Sequence, residues 1–366
     1  MENKAYLEQQ IITYLGNKRQ LLFLISEGID FVRRDLHQDK IAFLDLFSGS
    51  GIVARFAKQN ASLLIANDLE YYSYIINSCY LTNQSAVDMP KLKAYYEILK
   101  QRENETHPGF VSTLYAPQDD HQIRKDERVF YTRQNALYLD NMLFLISREI
   151  PADYQAYFIA PLLAEASIHV NTAGVFKGFY KDENGIGAFG ASGKHALSRI
   201  LKPISLPFPV FSAYETTNMI YQCDANQLLD QLPLVDICYL DPPYNQHPYG
   251  SNYFMLNCLA KNEQPTDLSL VSGIPTDWQR SNYNNRQRLK QELEDVINRV
   301  RARYVLLSFN NEGFLSKEDL IKMLDKYGEL KIIETKYNAY RGSRNLKNRS
   351  IHVKEFLFLL KKSSTQ

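Results

Sequence analysis

Long apolar runs, paired cysteines and an excess of either charge are all missing from this sequence. No stretch approaches the roughly 18 apolar residues of a membrane span, and the opening MENKAYLEQQ lacks the basic-then-apolar pattern of a secretory signal. A cytoplasmic protein without membrane association is therefore expected. Cys79, Cys223, Cys238 and Cys258 stand apart with no C-x-x-C pair, and two of them fall in strand-like apolar runs. They read as reduced packing residues, not as metal ligands. Lys and Arg number 42 against 41 Asp and Glu, so net charge gives no global argument for nucleic-acid binding. Any such argument must come from local clusters. Internal repeats and low-complexity tracts are absent as well.

What is present is an alternation of strand-like and helix-like segments. With 366 residues, 45% of them hydrophobic, the chain can bury one large core with a sizeable insertion, or two domains sharing an interface. The apolar run from Ile41 to Phe47 ends in Ser48-Gly49-Ser50-Gly51, and a helix start follows. A second strand reaches Asn67-Asp68-Leu69-Glu70, and a tyrosine-rich helix comes next. Both fit the opening of a doubly wound, mostly parallel α/β sheet. Further strands end on polar residues at Cys223-Asp224, at Asp241 and at Asn310-Asn311. Because ligands in open parallel sheets bind beyond the carboxyl ends of the strands, these ends should line one crevice. The run from Lys354 to Leu360 reads as a closing strand, with Glu329 to Tyr337 as its hairpin partner.

Residues 82–217 interrupt the alternation between the second and third strands, far beyond a normal connection. Helices are predicted at Tyr138 to Ile150 and Tyr154 to Val170, and two strands around a turn between Gly174 and Phe189. The segment is read as an inserted domain, mainly helical, with a projecting hairpin. Residues 1–81 and 218–366 then form the other domain.

Two short patterns carry chemistry. The glycine-rich turn DLFSGSG, Asp45 to Gly51, is followed about 20 residues on by Asp68, placed to accept hydrogen bonds from ribose hydroxyls. Neither G-x-G-x-x-G nor G-x-x-x-x-G-K-[ST] occurs, so a nucleoside without phosphates fits better than a dinucleotide or a triphosphate. The bland reading is a turn with a helix cap. The second pattern is Asp241-Pro242-Pro243-Tyr244 at the end of the strand VDICYL. Two prolines also stop an ordinary buried strand. Alternatively, they hold a carboxylate and a carbonyl rigid beside a flat ring.

The chain resembles the Dam-like, D12 class of adenine-specific DNA methyltransferases. Asp241-Pro242-Pro243-Tyr244 stands as that family's catalytic motif. Tyr14-Leu-Gly16-Asn-Lys18 resembles its N-terminal cofactor motif, and Asp45, Phe47, Gly49 and Gly51 its S-adenosylmethionine loop. Asp68 resembles its ribose-binding acid, and Asp224 the acid that contacts the cofactor's adenine. The position of the insertion matches the family's target-recognition domain. The resemblance implies a methyltransferase-type sheet, methyl transfer from S-adenosylmethionine to adenine N6 in double-stranded DNA, and a restriction-modification setting with a cognate endonuclease as a possible companion. In such chemistry Asp241 and the Pro242 carbonyl accept the two amine hydrogens and direct the nitrogen lone pair at the methyl. Tyr244 offers a stacking face to a flipped base. His247, in the polar loop that follows, is a weaker candidate for general base than for a solvated group.

DNA contacts are expected from two places. The stretch 336–354 carries Arg341, Arg344, Lys347 and Arg349 among tyrosines and asparagines with no acid, a mix suited to phosphates. Lys177, Lys181, Lys194 and Arg199 lie on or near the predicted hairpin, and a two-stranded ribbon fits the major groove. Gln279 to Arg288 is a looser basic cluster that reads equally as a solvated segment. Rival readings are a cytosine-N4 DNA methyltransferase, a ribosomal-RNA adenine methyltransferase and a catalytically silent DNA-binding subunit.

Overall fold

Seven strands form one sheet in the order β3-β2-β1-β4-β5-β7-β6 in the computed structural model, which describes residues 6–7, 11–338 and 352–363. The strands are β1 Ile41–Asp45, β2 Ala61–Asp68, β3 Thr217–Gln222, β4 Val235–Leu240, β5 Ala302–Asn310, β6 Gly328–Asn338 and β7 His352–Lys362. β1 through β5 pair in parallel. β7 runs antiparallel between β5 and β6. The doubly wound expectation holds, and so does the closing hairpin. Its second strand is the inner one, a detail that pairing preference alone does not reveal. The expected basic cluster at Arg341, Arg344, Lys347 and Arg349 lies outside the described residues.

The parallel strands read as near-continuous apolar runs because both sheet faces are covered. Leu44, Ile65, Cys238 and Leu240 pack on one side, against the helices Leu289–Arg299 and Lys317–Leu324. Phe43, Leu64, Ile237 and Tyr239 pack on the other, against Leu22–Leu36 and Ile52–Ala57. Among the described residues no helix is long and apolar enough to cross a membrane.

Between β2 and β3 the chain is helical, as expected. The two long helices are Arg133–Glu149 and Ala152–Ile168. The first begins five residues before the predicted Tyr138, because the Thr132 hydroxyl caps it by accepting from the Asn135 amide at 3.1 Å. Both share one core with the helices Tyr71–Tyr80 and Phe254–Lys261, which flank the strands.

The predicted two-stranded hairpin between Gly174 and Phe189 does not form. Only one bridge, Lys181 to Gly187, is present there. The turn is made instead by the Asp182 side chain, which accepts from the amides of Asn184 and Ile186 at 2.9 Å each. The buried Asn171 takes up neighbouring backbone groups: its amide donates to the carbonyls of Val129 (2.8 Å) and Ala188 (3.2 Å), and its carbonyl accepts from the Gly190 amide at 3.0 Å. Two ladder bonds flank the bridge, from the Asp182 amide to the Ile186 carbonyl at 2.8 Å and from the Ala188 amide to the Tyr180 carbonyl at 2.9 Å; beyond them local side-chain bonding takes the ladder's place.

Candidate active site

The strand order reverses between β1 and β4, which is where an open parallel sheet leaves a crevice. A cavity of about 860 Å³, its open mouth included, lies at these strand ends. Of the residues the sequence singled out, Tyr14, Gly16, Lys18 and Asp45 line it, together with Phe47, Gly49, Asp68, Asp224, Asp241 and Pro243. Gly51, Pro242 and Tyr244 do not.

The glycine turn is shaped by close approach. Gly49 and Gly51 have φ of +49° and +72°, a region costly for other residues. A Cβ on Gly49 would sit 2.7 Å from the Tyr14 ring, and one on Gly51 would run into Asn77. Gly51 therefore builds the turn from behind the cavity wall. Asp68 ties the turn to β2, accepting from the Gly49 amide at 2.7 Å through Oδ2 and from the Glu70 amide at 2.9 Å through Oδ1. Burial lifts the Asp68 carboxyl to about 6, with those amides pulling the other way.

The N-terminal segment is clamped across the crevice by tyrosines. The Tyr14 ring stacks at 4.9 Å on both Tyr249 and Tyr253. Leu15 donates its amide to the Tyr253 hydroxyl at 2.7 Å, and its carbonyl accepts from the Tyr249 hydroxyl at 3.0 Å. This clamp brings Lys18, assigned from sequence to the cofactor motif, into contact with two acids. Its ammonium lies 3.0 Å from Asp241 Oδ1 and 3.0 Å from Glu355 Oε1, with 3% of the side chain exposed. Burial alone would lower the lysine pKa, but Asp241 and Glu355 hold it well above the ordinary value.

Asp241 reaches about 6, chiefly through burial, with Lys18 opposing and Glu355 adding. Asp45, at the end of β1, is fully buried, and neither carboxylate oxygen has a hydrogen-bond partner among the described residues. Burial and the charges of Asp241 and Asp68 push it well above the carboxylate range; the Ala54 and Phe47 amides counter this without reaching hydrogen-bond geometry. Asp224 caps the helix Ala225–Leu228, accepting from the Asn226 and Gln227 amides at 3.0 and 3.2 Å. Beside it, Phe47 meets the edge of Tyr283 at 4.9 Å.

Tyr244 is 7% exposed. Its hydroxyl accepts from Asn310 Nδ2 at 2.8 Å, and its ring lies 4.4 Å from Phe309. The ring is thus fixed behind the cavity, not laid open to it. His247 is exposed and outside the lining.

Sequence reasoning missed several lining residues. Glu70 stands two positions after Asp68, and that proximity was the available signal. Its Oε2 accepts from Asn257 at 2.6 Å, and burial pushes it up to about 8. Gln279, Ser281, Tyr283 and Asn284 line the cavity, although their stretch reads as a loose basic cluster. Glu355, on β7, is buried beneath the lining and had no sequence signal at all.

In the insertion, Lys177, Lys181 and Lys194 are exposed. Arg199 is partly buried, and its guanidinium donates to the carbonyls of Ile168 and Thr172, holding the end of a long helix.

The sheet order, with this crevice at its switch point, is that of the S-adenosylmethionine-dependent methyltransferases. Residues 14–323 match the family model of the D12 class N6 adenine-specific DNA methyltransferases. The chain belongs to that family, and its reaction is methylation of adenine N6 in DNA. It is 31% identical over 360 residues to the type II methyltransferase M.NlaIII of Neisseria lactamica, covering 96% of this chain and all of that one. It is 28% identical to the type II methyltransferase M.CviAII of Paramecium bursaria Chlorella virus 1, over 95% of this chain and 98% of that one. It is also 28% identical to the modification methylase StsI of Streptococcus sanguinis, where 95% of this chain spans 52% of the relative.

Proposed function

We propose that the crevice takes S-adenosylmethionine along Asp224, Asp68 and the glycine turn, and that Asp241 receives the adenine amine of one short duplex sequence at its inner end. The observation that carries this reading is the set of carboxyl groups in one cavity: Asp45, Asp68, Glu70, Asp224 and Asp241 line it against Lys18, the single basic residue among the described lining residues. A cofactor carrying a sulfonium and an ammonium suits such a surface. The two unpartnered oxygens of buried Asp45 are the kind of group that only an incoming donor satisfies.

When bound, S-adenosylmethionine supplies an electrophilic methyl group and departs as the thioether, its sulfur keeping the electron pair of the broken bond. The Asp241 carboxylate and the Pro242 carbonyl accept the hydrogens of the amine, whose lone pair would otherwise be delocalised into the ring. As the new N–C bond forms, one amine proton becomes surplus. Asp241, whose pKa lies at about 6, can take it and pass it to water. Tyr244 sets the position of this corner from behind, and stacking on a flipped base would require the contact with Phe309 to open.

Residues 82–217 are proposed as the target-recognition domain, set on the catalytic domain formed by 1–81 and 218–366. Exposed Lys177, Lys181 and Lys194 offer hydrated cations to DNA. A companion restriction endonuclease and a cytoplasmic location are proposed with it, supported by the type II names of the relatives.

Expression in a host lacking adenine methylation, followed by single-molecule sequencing of its genome and mass spectrometry of digested nucleosides, tests the reading. N6-methyladenine in one short motif is expected. N4-methylcytosine would replace the base, and methylated ribosomal RNA with unmodified DNA would replace the substrate. Cofactor binding without methylation would favour a silent subunit.

A further inference from the structure

The acid at the catalytic corner does not hold its lysine alone. Glu355 lies on β7, opposite Asn310 of β5 in the antiparallel register, and beyond residues 14–323 that the family model matches. It is 0% exposed. Its Oε1 accepts from the Ser308 hydroxyl at 2.9 Å and stands 3.0 Å from the Lys18 ammonium. Its Oε2 has no hydrogen-bond partner among the described residues. Lys18 in turn stands 3.0 Å from Asp241 Oδ1. One ammonium is therefore shared between a carboxylate that faces the cavity and one that is sealed beneath it.

We infer that Glu355 is a positioning residue for methyl transfer: it binds the Lys18 ammonium from below, so that Asp241 is oriented by the lysine without being neutralised by it. This rests on the reading of Asp241 as the acceptor of the adenine amine.

The physical argument is one of competition. A buried one-to-one ion pair would direct the lysine's charge and donors at Asp241, leaving it a poor acceptor for amine hydrogens. A second carboxylate makes the cluster net negative and divides the ammonium's attraction. The sealed position of Glu355 suits this, because a charge in water would be screened before it reached Asp241. The other groups facing the cluster are Asp45, Tyr239, Tyr244 and Tyr249. None of these is a second cation. The raised Asp241 pKa agrees with the arrangement, since the Glu355 charge is among its causes.

A merely structural Glu355 would anchor the N-terminal segment, and its loss would lower thermal stability and weaken cofactor binding. A positioning Glu355 predicts another pattern for Glu355→Gln, which keeps the shape and removes the charge. Turnover should fall by at least about tenfold, with KM for DNA and for cofactor within about twofold. The acid limb of kcat/KM should move down by about one pH unit, because removing a negative neighbour lowers the pKa of Asp241. Turnover and an acid limb like those of the unmodified protein would overturn the inference.

The same change is then made in a Lys18→Gln background, which has no buried cation to strand. If Glu355 acts through Lys18, Lys18→Gln and the double variant should turn over at equal rates. A further drop in the double variant would overturn the inference even if the single Glu355→Gln protein did not fold. Asp241→Asn assayed in parallel separates the two readings. Full activity there removes the role of Asp241 itself, whereas an inactive Asp241→Asn beside an unaltered Glu355→Gln removes only that of Glu355.

Discussion

The crevice at the ends of β1 and β4 and the loop from Gly174 to Gly190 treat their polar side chains in opposite ways. In the crevice the side chains themselves are fixed. Asp68 is held by two amides, Asp241 by Lys18, and Tyr14 between two rings. The carboxyls of Asp68 and Asp241 are lifted by burial, so each depends on what enters the cavity. In the loop it is the backbone that is fixed, through Asn171 and Asp182, while Lys177 and Lys181 remain exposed. Chemistry on a single amine needs groups held in place before the substrate arrives. Contact with phosphates needs hydrated cations that release counterions on binding. One molecule makes both by burying the side chains in one place and only the backbone in the other.

Asp241→Ala gives the largest expected effect and tests whether the crevice works by geometry at the reacting centre. Turnover should fall by at least about a hundredfold, with cofactor and DNA affinities within a few-fold, because the carboxylate acts on the amine and adds little to ground-state binding. In the unmodified protein kcat/KM should fall as pH drops through about 6, where Asp241 takes up a proton and can no longer accept as an anion. A flat profile from pH 8 to pH 5, or strong residual turnover, would break this side of the comparison.

Asp68→Ala comes next. Loss of a charged acceptor of roughly 1.5–3 kcal/mol should weaken cofactor binding by about 10- to 100-fold, read by calorimetry. The same measurement has a pH signature in the unmodified protein. Asp68 at about 6 and Glu70 at about 8 are raised by burial. An arriving cation favours their ionised forms, so binding should release protons, and affinity should weaken as pH falls from 8 to 6. An affinity for S-adenosylmethionine that Asp68→Ala leaves intact would remove Asp68 from the site.

The smallest effects belong to the loop. Alanine at Lys177, Lys181 or Lys194 should leave turnover at saturating DNA nearly unchanged and reduce the slope of log affinity against log salt by about one for each phosphate no longer neutralised. Changed sequence choice would assign the side chain to base edges instead. Arg199→Ala should act differently, lowering the melting temperature, because its guanidinium holds the Ile168 and Thr172 carbonyls. An Arg199 variant with unaltered stability and altered DNA binding would erase that distinction.

The strand ends were legible because apolar runs stopped by Ser48-Gly49, Asp68 and Asp241 follow from simple periodicity, and a parallel sheet gathers such ends at one edge; the first strand closes at Asp45, two residues before the expected Phe47. Gly49 and Gly51 were legible because positive φ and close approach both favour glycine. The ribbon between Gly174 and Phe189 was misread because its alternation suits a strand, while the turn chemistry of Asp182 and the reach of Asn171 offered the backbone other partners. Lys18 was placed at the cofactor on its motif alone. Its contact with Asp241 depends on a clamp of tyrosines from two distant parts of the chain.

The sequence by itself determined the sheet, the crevice and every acid in its lining except Glu70, because strand periodicity and the polar residues that end each run are local properties. The tertiary structure alone decided that Tyr244 is buried against Phe309 and Asn310, that Asp45 carries two oxygens without a partner among the described residues, and that Glu355 and Asp241 share one ammonium. Each of these depends on which distant side chains exclude water from a given atom, and burial of that kind has no signature in the spacing of residues along a chain.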